Sequence, residues 1–567
     1  MMTPRIIRKT CVALISLSAT GTAVGAEGLA NLNQISDQQL IYQQERQKAL
    51  AAQLTPQTRD VRLLPTIKGA RLLDFPQESP CFIINKVNLL RRDALSYIMP
   101  LYALSRQAEG RCLGAQGINL LMSALQNRLI SYGYITSRVV APPQDLTRGE
   151  LSLLFVPGKI RQVYYDQTSD PQAKLSTGMP AKPGQILNLR DIEQGLENLQ
   201  RMPTVTANMQ LVPGQQPGES DIVIHREQVK RWRLGVSLDD SGTRSTGRYQ
   251  GGMTLYLDNP LLLSDTLYIS GGHDLDRNSE FGSKNYLVGY SVPFRYWLLS
   301  LSFGGNDYYQ QVAGAFTDYQ YSGRSENQNF QLSRVIHRNE SQKTTLYYGI
   351  NLRESHNFVD HTEVDIQQRR TTSWRLGVQH RHYIQAMTLD LDVSYQKGVR
   401  WFGALQAPEE LAHEGTALSE IFKLNASLSV PFTLATQRFR YDINYQGQLA
   451  RHGHLTPQER FSIGGRWTVR GFDGELSLSA DNGWFVRNEL SWATPYAQEL
   501  YLGLDYGEVS GADSGYLLGK KLAGSALGLR GDVLHTNYDL FIGAPIYKPK
   551  GFRTNDTVLG FNLNWHF

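Results

Sequence analysis

The sequence predicts a β-barrel membrane protein: a sixteen-stranded antiparallel transmembrane barrel preceded by an N-terminal helix and two α+β units. From Trp232 to Phe567, segments of about ten residues alternate apolar and polar side chains and are separated by turn residues. This alternation is typical of strands with lipid on one side and an aqueous lumen on the other. No segment of the mature chain has the eighteen or so consecutive apolar residues of a spanning helix.

The composition of the 567-residue chain fits this class. Charged residues make up 19% and aromatic residues 10%, with 29 Tyr and 51 Gly. Such usage indicates many strands and turns, with aromatic girdles at the membrane interfaces. The mean hydropathy of −0.35 excludes a helical membrane protein. A net charge of +5 is small for this length and gives no reason to expect nucleic acid as a partner.

Residues 1–26 have the features of a secretory signal peptide. Basic residues precede the short apolar core Cys11–Leu17, and Val24–Ala26 offers small residues for cleavage. The alternative, an uncleaved anchor, needs a longer apolar run. Cys81 and Cys112 remain in the mature chain, and an even pair in an oxidising compartment favours a disulfide over two unrelated buried thiols.

Residues 27–54 contain a polar helix candidate, Ser36–Leu54, whose start Ser36 or Asp37 can cap. It has no apolar stripe, so in isolation it is a marginal helix. Residues 55–80 contain four prolines and are expected to form a linker. The alternative for the whole region is a disordered arm.

Residues 81–157 and 158–228 are expected to form the two α+β units in tandem. The first has the order strand, helix, helix, strand, strand: Phe82–Val87, Arg91–Ser105, Gly117–Tyr132, Ile135–Ala141 and Leu151–Val156. The second has the order strand, helix, strand, strand: Ile160–Asp166, Leu189–Met202, Thr204–Val212 and Asp221–Arg226. Asn188 and Asp191 form a candidate capping box at the start of the second unit's helix.

Residues 229–567 contain seventeen segments with a strand pattern, of which Arg460–Gly465 is the weakest. A bacterial single-chain barrel has an even number of strands, so this piece is assigned to a loop and sixteen remain. Connections are then short and long in alternation. The long ones are Asn306–Glu326, Lys397–Leu418 and Arg451–Gly483.

The last strand shows the alternation best and ends on an aromatic residue, a C-terminal signal that outer-membrane barrels commonly present to their assembly machinery. Its apolar face consists of Leu559, Phe561, Leu563, Trp565 and Phe567. A soluble β-sandwich with one polar face is the alternative, but so many strands in series would leave apolar edges exposed.

The stretch Phe461–Phe472, FSIGGRWTVRGF, lies in the longest connection, and its core is Val469, Arg470, Gly471 and Phe472. An arginine beside a glycine suits reaching into a confined space and pairing with a carboxylate. The candidate partner is Asp505 in Gly503-Leu504-Asp505-Tyr506-Gly507. On a strand, Gly503 and Gly507 flank Asp505 on one face and leave room for another segment.

VRGF followed about thirty residues later by GLDYG resembles the loop-and-strand signature of two-partner secretion transporters, outer-membrane pores of the BamA-related superfamily. The resemblance extends to GYITSRVVAPPQDLTRGELSLLFVPGKI, which is similar to the end of the first POTRA domain of this family. It implies that residues 27–54 plug the pore, that both α+β units are periplasmic POTRA domains, and that Arg470 and Asp505 pair inside the lumen.

The resemblance also implies a function. A large exoprotein with an N-terminal secretion domain, of the haemolysin, adhesin or contact-dependent toxin type, would be recognised by the POTRA domains and threaded unfolded through the barrel without nucleotide hydrolysis. Ile135–Ala141 and helix Gly117–Tyr132 are the candidate recognition surface. The other expected partners are outer-membrane lipid and the barrel assembly machinery, and the expected state is a monomer.

Other functions fit the sequence less well. A BamA-like factor that inserts other barrels shares the loop motif but usually carries more POTRA domains and no plug helix. A diffusion porin would not need a periplasmic arm. His452 and His454 lack a third metal ligand, and the chain has no complete phosphate loop, zinc-protease motif or nucleophile elbow. No enzyme activity, metal or cofactor is therefore expected.

Overall fold

The structure is a computed structural model that describes residues 37–55, 60–63, 72–91, 101–170, 172–276, 280–313, 317–451 and 454–567. The expected signal, residues 1–26, lies outside the described residues, as do 27–36 and parts of the expected linker. Within the described ranges, no helix is long and apolar enough to cross a membrane.

Sixteen antiparallel strands close into a barrel, because the last strand, Val558–His566, pairs with the first, Trp232–Asp239. Numbered in chain order, the strands are β1 Trp232–Asp239, β2 Gln250–Asp258, β3 Thr266–Asp274, β4 Gly282–Phe294, β5 Trp297–Ala313, β6 Asp318–Arg338, β7 Gln342–Val359, β8 Arg369–Ile384, β9 Met387–Val399, β10 Glu420–Leu434, β11 Gln437–Ala450, β12 Asn482–Ala493, β13 Gln498–Ser510, β14 Lys521–Val533, β15 Thr536–Tyr547 and β16 Val558–His566. A two-residue strand, Thr362–Glu363, only extends the end of β7, which pairs directly with β8. The predicted barrel and its strand number are confirmed.

Burial alternates along the strands as the sequence predicts. In β13, Leu502 and Leu504 are 48% and 50% exposed, whereas Tyr501 and Asp505 are 3% exposed. The exposed leucines form the outer wall, and the buried side chains face the lumen. Because the sheet is closed, its backbone groups pair between neighbouring strands, as the hydrocarbon core of a membrane requires.

The barrel connections are short at the end that carries the α+β units, here the arm end, and longer at the opposite end. Four of the arm-end turns have two residues: 295–296, 385–386, 435–436 and 534–535. The expected long loop Asn306–Glu326 is wrong, because β5 and β6 stay paired as far as Ala313 and Asp318. Inward Tyr308 and Tyr321, with ring centroids 6.5 Å apart, extend the packed inner face there.

The first α+β unit differs from the prediction at its first strand. Asn85 interrupts the expected strand Phe82–Val87, because Phe82–Ile84 pairs with Arg111–Leu113 while Lys86–Leu90 pairs in parallel with Glu150–Val156. The remaining described elements are helices Leu101–Ser105 and Ala115–Ser131, short helices Arg106–Ala108 and Leu146–Arg148, and strand Arg138–Val140. Residues 92–100 of the expected helix Arg91–Ser105 lie outside the described residues. That last strand is shorter than the expected Ile135–Ala141.

The second α+β unit consists of strands Lys159–Tyr165, Val205–Pro213 and Glu219–Gln228 and helices Leu175–Gly178 and Leu189–Leu199. The Asn188 side chain accepts a hydrogen bond from the Arg190 N–H at 2.9 Å, so the predicted cap forms. The second half of the expected capping box is wrong, because Asp191 instead accepts a hydrogen bond from the barrel residue Tyr296.

Helix Leu189–Leu199 docks the second unit onto the barrel. Asn198 donates to the carbonyl of Arg295 in an arm-end turn at 2.7 Å. Thr204, after the helix, donates to Asp258 at the end of β2 at 2.7 Å. Glu193 and Glu197 are also buried in this interface, at 0% and 4% exposure, and pair with Arg338 of the barrel.

Cys81 and Cys112 form a disulfide that closes a loop of 31 residues in the first unit. We expect Cys112→Ser to lower the free energy of unfolding of this unit by about 3–4 kcal/mol, because the unfolded chain gains conformational freedom. Amide hydrogen exchange in Glu150–Val156 of the full-length protein should accelerate by a factor of a few hundred. Amides of β13 are the internal control, and equal exchange of Glu150–Val156 in both proteins would contradict the prediction.

Candidate functional site

The connection between β11 and β12 folds back into the barrel, and its described part, residues 454–481, is called the lumenal loop here. Strands Phe461–Ile463 and Leu478–Ala480 pair at its base, and a short helix spans Pro457–Glu459. Arg460–Gly465 therefore lies outside the barrel sheet, as assigned from the sequence. Val469 and Phe472 are buried, at 0% and 2% exposure.

Two backbone features direct the loop into the lumen. Gly464 and Gly471 have backbone φ values of +116° and +96°, which residues other than glycine rarely adopt. Between them, the Thr468 hydroxyl accepts hydrogen bonds from the N–H groups of Gly464 and Gly465 at 3.1 and 3.2 Å. The resulting turn presents Arg470 to the wall formed by β12 and β13.

Arg470 and Asp505 form a bidentate ion pair in the lumen. Arg470 Nε lies 2.7 Å from Asp505 Oδ2, and Nη2 lies 2.8 Å from Oδ1. The backbone N–H of Arg470 also donates to Oδ2 at 3.0 Å. Their side chains are 6% and 0% exposed. Such charge-assisted bonds fix both the position and the orientation of the loop.

The glycines around Asp505 give the loop its room. A Cβ atom at Gly503 would lie 2.4 Å from Arg470 Nη2, and one at Gly507 would lie 2.9 Å from a methyl group of Val469. The wall and loop are therefore closer at these positions than side chains permit. The two glycines flank Asp505 as the sequence pattern suggests.

Apolar packing supplies a second anchor for the loop. Val469 and Phe472 belong to a buried cluster that includes Phe485 of β12 and Leu522 of β14. Phe472 also meets Phe552, in the connection between β15 and β16, edge to face at 5.8 Å. VRGF is thus held by its charged and apolar residues together.

Sequence reasoning missed three members of this charge network. Glu489 on β12 contacts Arg470 Nη1 at 2.5 Å, and Arg530 on β14 contacts Glu489 at 2.7 Å. Arg487, opposite Asp505 in the register, lies 3.8 Å from it. The available signal was a charge inside a membrane strand, since such a side chain has to face the lumen.

Residues 37–54 form a helix inside the lumen. Its eighteen residues span about 27 Å at 1.5 Å per residue. Asp37 lies 3.6 Å from Arg369 at the start of β8, whereas Leu54 packs with Tyr256 and Tyr268 near the arm end. The helix therefore runs nearly the length of the barrel wall.

The contacts of this lumenal helix are largely polar. Gln39 donates to Ser245 at 3.0 Å and Gln53 to Asn564 at 2.8 Å. A polar barrel interior accommodates a polar helix, which explains the missing apolar stripe. Tyr42 connects it to the lumenal loop, because its ring centroid lies 5.6 Å from that of Trp467.

Phe561, Leu563, Trp565 and Phe567 lie on the outer face of β16, since Asn564 between them faces the lumenal helix. Phe561 stacks on Tyr249 with ring centroids 6.3 Å apart. Phe567 is 61% exposed, while its N–H donates to the Leu234 carbonyl of β1 at 2.9 Å. The end of the chain therefore lies at the seam where the barrel closes.

The described residues contain no cluster of three or more His, Cys, Asp or Glu side chains that could hold a metal ion. The lumen instead holds two different occupants. The loop is fixed by a buried bidentate ion pair and an apolar cluster. The helix is held by single polar contacts, the Asp37–Arg369 pair and the apolar packing of Leu54 near the arm end.

Family models match three parts of the chain. Residues 82–158 match the ShlB-type POTRA domain and residues 159–213 a POTRA domain. Residues 218–531 match the haemolysin secretion/activation protein family ShlB/FhaC/HecB.

Known proteins are similar over almost the whole length. The outer membrane transporter CdiB-2 of Burkholderia pseudomallei (strain 1026b) is 35% identical over 87% of each chain. The structure of CdiB from Acinetobacter baumannii is 31% identical with a TM-score of 0.82, covering 94% of this chain and 99% of that one. The structure of CdiB from Escherichia coli is 26% identical with a TM-score of 0.84 and the same coverage.

These relatives are transporters rather than enzymes, and they share both the POTRA arm and the barrel. The resemblance noted from VRGF and GLDYG is confirmed. The chain therefore belongs to the haemolysin secretion/activation protein family, as a two-partner secretion transporter for exoproteins in the outer membrane, with its POTRA domains in the periplasm.

Proposed function

We propose that this transporter exports one large exoprotein, unfolded, through the barrel lumen after the helix of residues 37–54 has left it. The observation that carries the proposal is the contrast between the two lumenal occupants. The loop is tied by the Arg470–Asp505 pair to β13, beside the strand into which its own chain runs. The chain of the helix, in contrast, reaches the first barrel strand only after the linker and both POTRA domains. Removal of the helix would free the polar inner wall that it now covers, including Asn564 of β16.

The POTRA domains are the proposed recognition site for the N-terminal secretion domain of the exoprotein. In the first domain, Arg138–Val140 pairs only with Glu150–Val156 in its three-stranded sheet and lies at the sheet edge. An edge strand can accept an extended segment by main-chain hydrogen bonds. Val140 and Tyr132, at 39% and 37% exposure, add apolar surface nearby.

We infer that export needs no nucleotide hydrolysis, because the periplasm provides no nucleotide and folding of the emerging exoprotein would oppose its return. The partners in this proposal also include outer-membrane lipid around the exposed leucines and the barrel assembly machinery at the C-terminal aromatic residues. A barrel closed by its own strands is complete as a monomer. The proposed cargo is a large exoprotein of the haemolysin, adhesin or contact-dependent toxin type.

We expect Arg470→Ala to reduce export at least about tenfold with the barrel still inserted. Loss of the guanidinium leaves Asp505 buried without its main partner, at a cost of about 3–5 kcal/mol, so the loop loses its fixed position. The measurement is the amount of the adjacently encoded exoprotein in the medium at equal outer-membrane levels of transporter.

Two variants control this experiment. Arg470→Lys keeps the charge without the bidentate geometry and should export at an intermediate level. Arg334→Ala removes an exposed arginine of the outer wall and should export normally. Normal export by Arg470→Ala would refute a role for the pair, and failure of other barrels to insert without this protein would indicate an assembly factor instead.

We also expect Tyr42→Ala to open the resting channel more often. The change removes both the contact with Trp467 and the hydrogen bond to the Ser241 carbonyl, so the helix is bound less tightly. Single-channel recording in planar bilayers should show a several-fold higher open probability. Ala52→Ser, at an exposed position of the same helix, is the control, and identical recordings from both variants would contradict plugging by the helix.

A further inference from the structure

Residues 60–63 of the linker lie between the second POTRA domain and the barrel with alternating side chains. Val61 and Leu63 pack against the apolar core of the POTRA domain. Asp60 and Arg62 contact the barrel instead. This two-residue period is that of an extended strand. The segment is therefore bound as an extended peptide with one apolar and one charged face.

The barrel side of this site binds the two charged residues. Asp60 lies 2.8 Å from Lys343 Nζ, accepts a hydrogen bond from Tyr383 at 2.6 Å and lies 3.4 Å from Arg381. The guanidinium of Arg62 lies 3.8 Å from the centre of the Tyr383 ring. The Asp60 side chain is 5% exposed, so the site encloses its carboxylate.

In two further contacts, side chains of this site bind the backbone of the linker. The Leu63 N–H donates to Glu193 Oε1 at 3.0 Å, and the Val61 carbonyl accepts from Arg338 Nη2 at 2.7 Å. Such contacts do not depend on the sequence of the bound segment. Glu197 ties the two walls together, because it pairs with Arg338 at 2.7 Å and with Lys343.

These residues form a groove that opens into the barrel. We call it the linker groove, and it consists of Glu193, Glu197, Arg338, Lys343, Arg381 and Tyr383. An open cavity of about 700 Å³ continues from Asp60 along the inner faces of β7 to β11. The lumenal helix contacts β2 and β3 at this end, so the cavity lies beside a different part of the wall.

We propose that the linker groove binds an extended segment of the exoprotein at the start of translocation, and that residues 60–63 occupy it in the resting state. This inference rests on the proposed function. The groove fits an extended peptide that places acidic side chains toward Lys343 and Arg381 and apolar side chains toward the POTRA core. Because the backbone contacts ignore sequence, successive segments of an unfolded chain can follow one another through the groove.

Displacement of the linker would act on the lumenal helix. Leu54 ends that helix, and Asp60 lies six residues further along the chain, a span of at most about 20 Å. Once the linker has left the groove, it no longer holds the end of the helix near Asp60, so the helix can move toward the periplasm. The groove would then couple the arrival of the exoprotein to the opening of the pore.

The proposal is tested by a photo-crosslinking amino acid at Thr345, which lines the cavity beside the groove. In the resting full-length transporter, we expect crosslinks to the peptide that contains residues 60–63. With the exoprotein stalled in transit, these should fall at least fivefold and be replaced by crosslinks to the exoprotein. Leu346, the next residue on β7 and 39% exposed on the outer wall, is the control position.

The outcomes separate the two proposals. If the unmodified transporter exports no exoprotein, the proposed function itself fails. If export proceeds while Thr345 continues to crosslink to the linker, or behaves as Leu346 does, only the groove proposal is overturned.

A charge variant provides an independent arm. Asp60→Asn weakens linker binding, so the resting open probability should rise several-fold and crosslinks to a stalled exoprotein should increase. Asp74→Asn removes the same charge at an exposed position of the linker and serves as the matched control. Identical behaviour of the two variants would overturn the role of residues 60–63 as occupant of the groove.

Discussion

Closure of the sheet between β16 and β1 is the constraint on which the rest of the structure depends. A closed sheet satisfies its backbone hydrogen bonds within the membrane and divides every strand into a lipid face and a lumenal face. Polar and charged residues within strands therefore collect inside. That concentration of charge makes it possible to fix a loop by Arg470, Asp505 and Glu489 in a space that would otherwise be open.

The two lumenal occupants differ in how they are held, and this difference carries the functional argument. The loop combines a bidentate ion pair with an apolar cluster that includes Val469 and Phe472. Removing one partner would leave a buried charge, so the arrangement resists partial release. The helix has single hydrogen bonds, such as Gln39 with Ser245 and Gln53 with Asn564, and a smaller apolar contact of Leu54 with Tyr256 and Tyr268. When the helix leaves the lumen, water can replace its hydrogen bonds, so no buried charge is left without a partner at these positions.

The junction between the second POTRA domain and the barrel connects the arm with the pore. Glu193 and Glu197 of the POTRA helix are buried against Arg338 and Lys343 at the barrel rim. These ion pairs hold the domain on the barrel, and Lys343 also binds Asp60 of the extended linker. Because the linker lies in this interface and continues from the lumenal helix, the proposed binding of the exoprotein there would be coupled to opening of the pore.

The sequence alone determined the barrel and the inward direction of Asp505, because a strand between lipid and water imposes a two-residue period on its side chains. Its seventeen strand-like segments became sixteen strands through the requirement for an even number. It also placed VRGF in a long connection opposite a glycine-flanked carboxylate. Only the tertiary structure decided which further charges surround the Arg470–Asp505 pair and which barrel residues meet Asp60. The contacts of Glu489 with Arg470 and Arg530, and of Asp60 with Lys343, join strands or domains that are separate in the chain. No local sequence pattern predicts such contacts. For the same reason the extension of β5 and β6 was missed, since pairing of two polar strands depends on the register that they share.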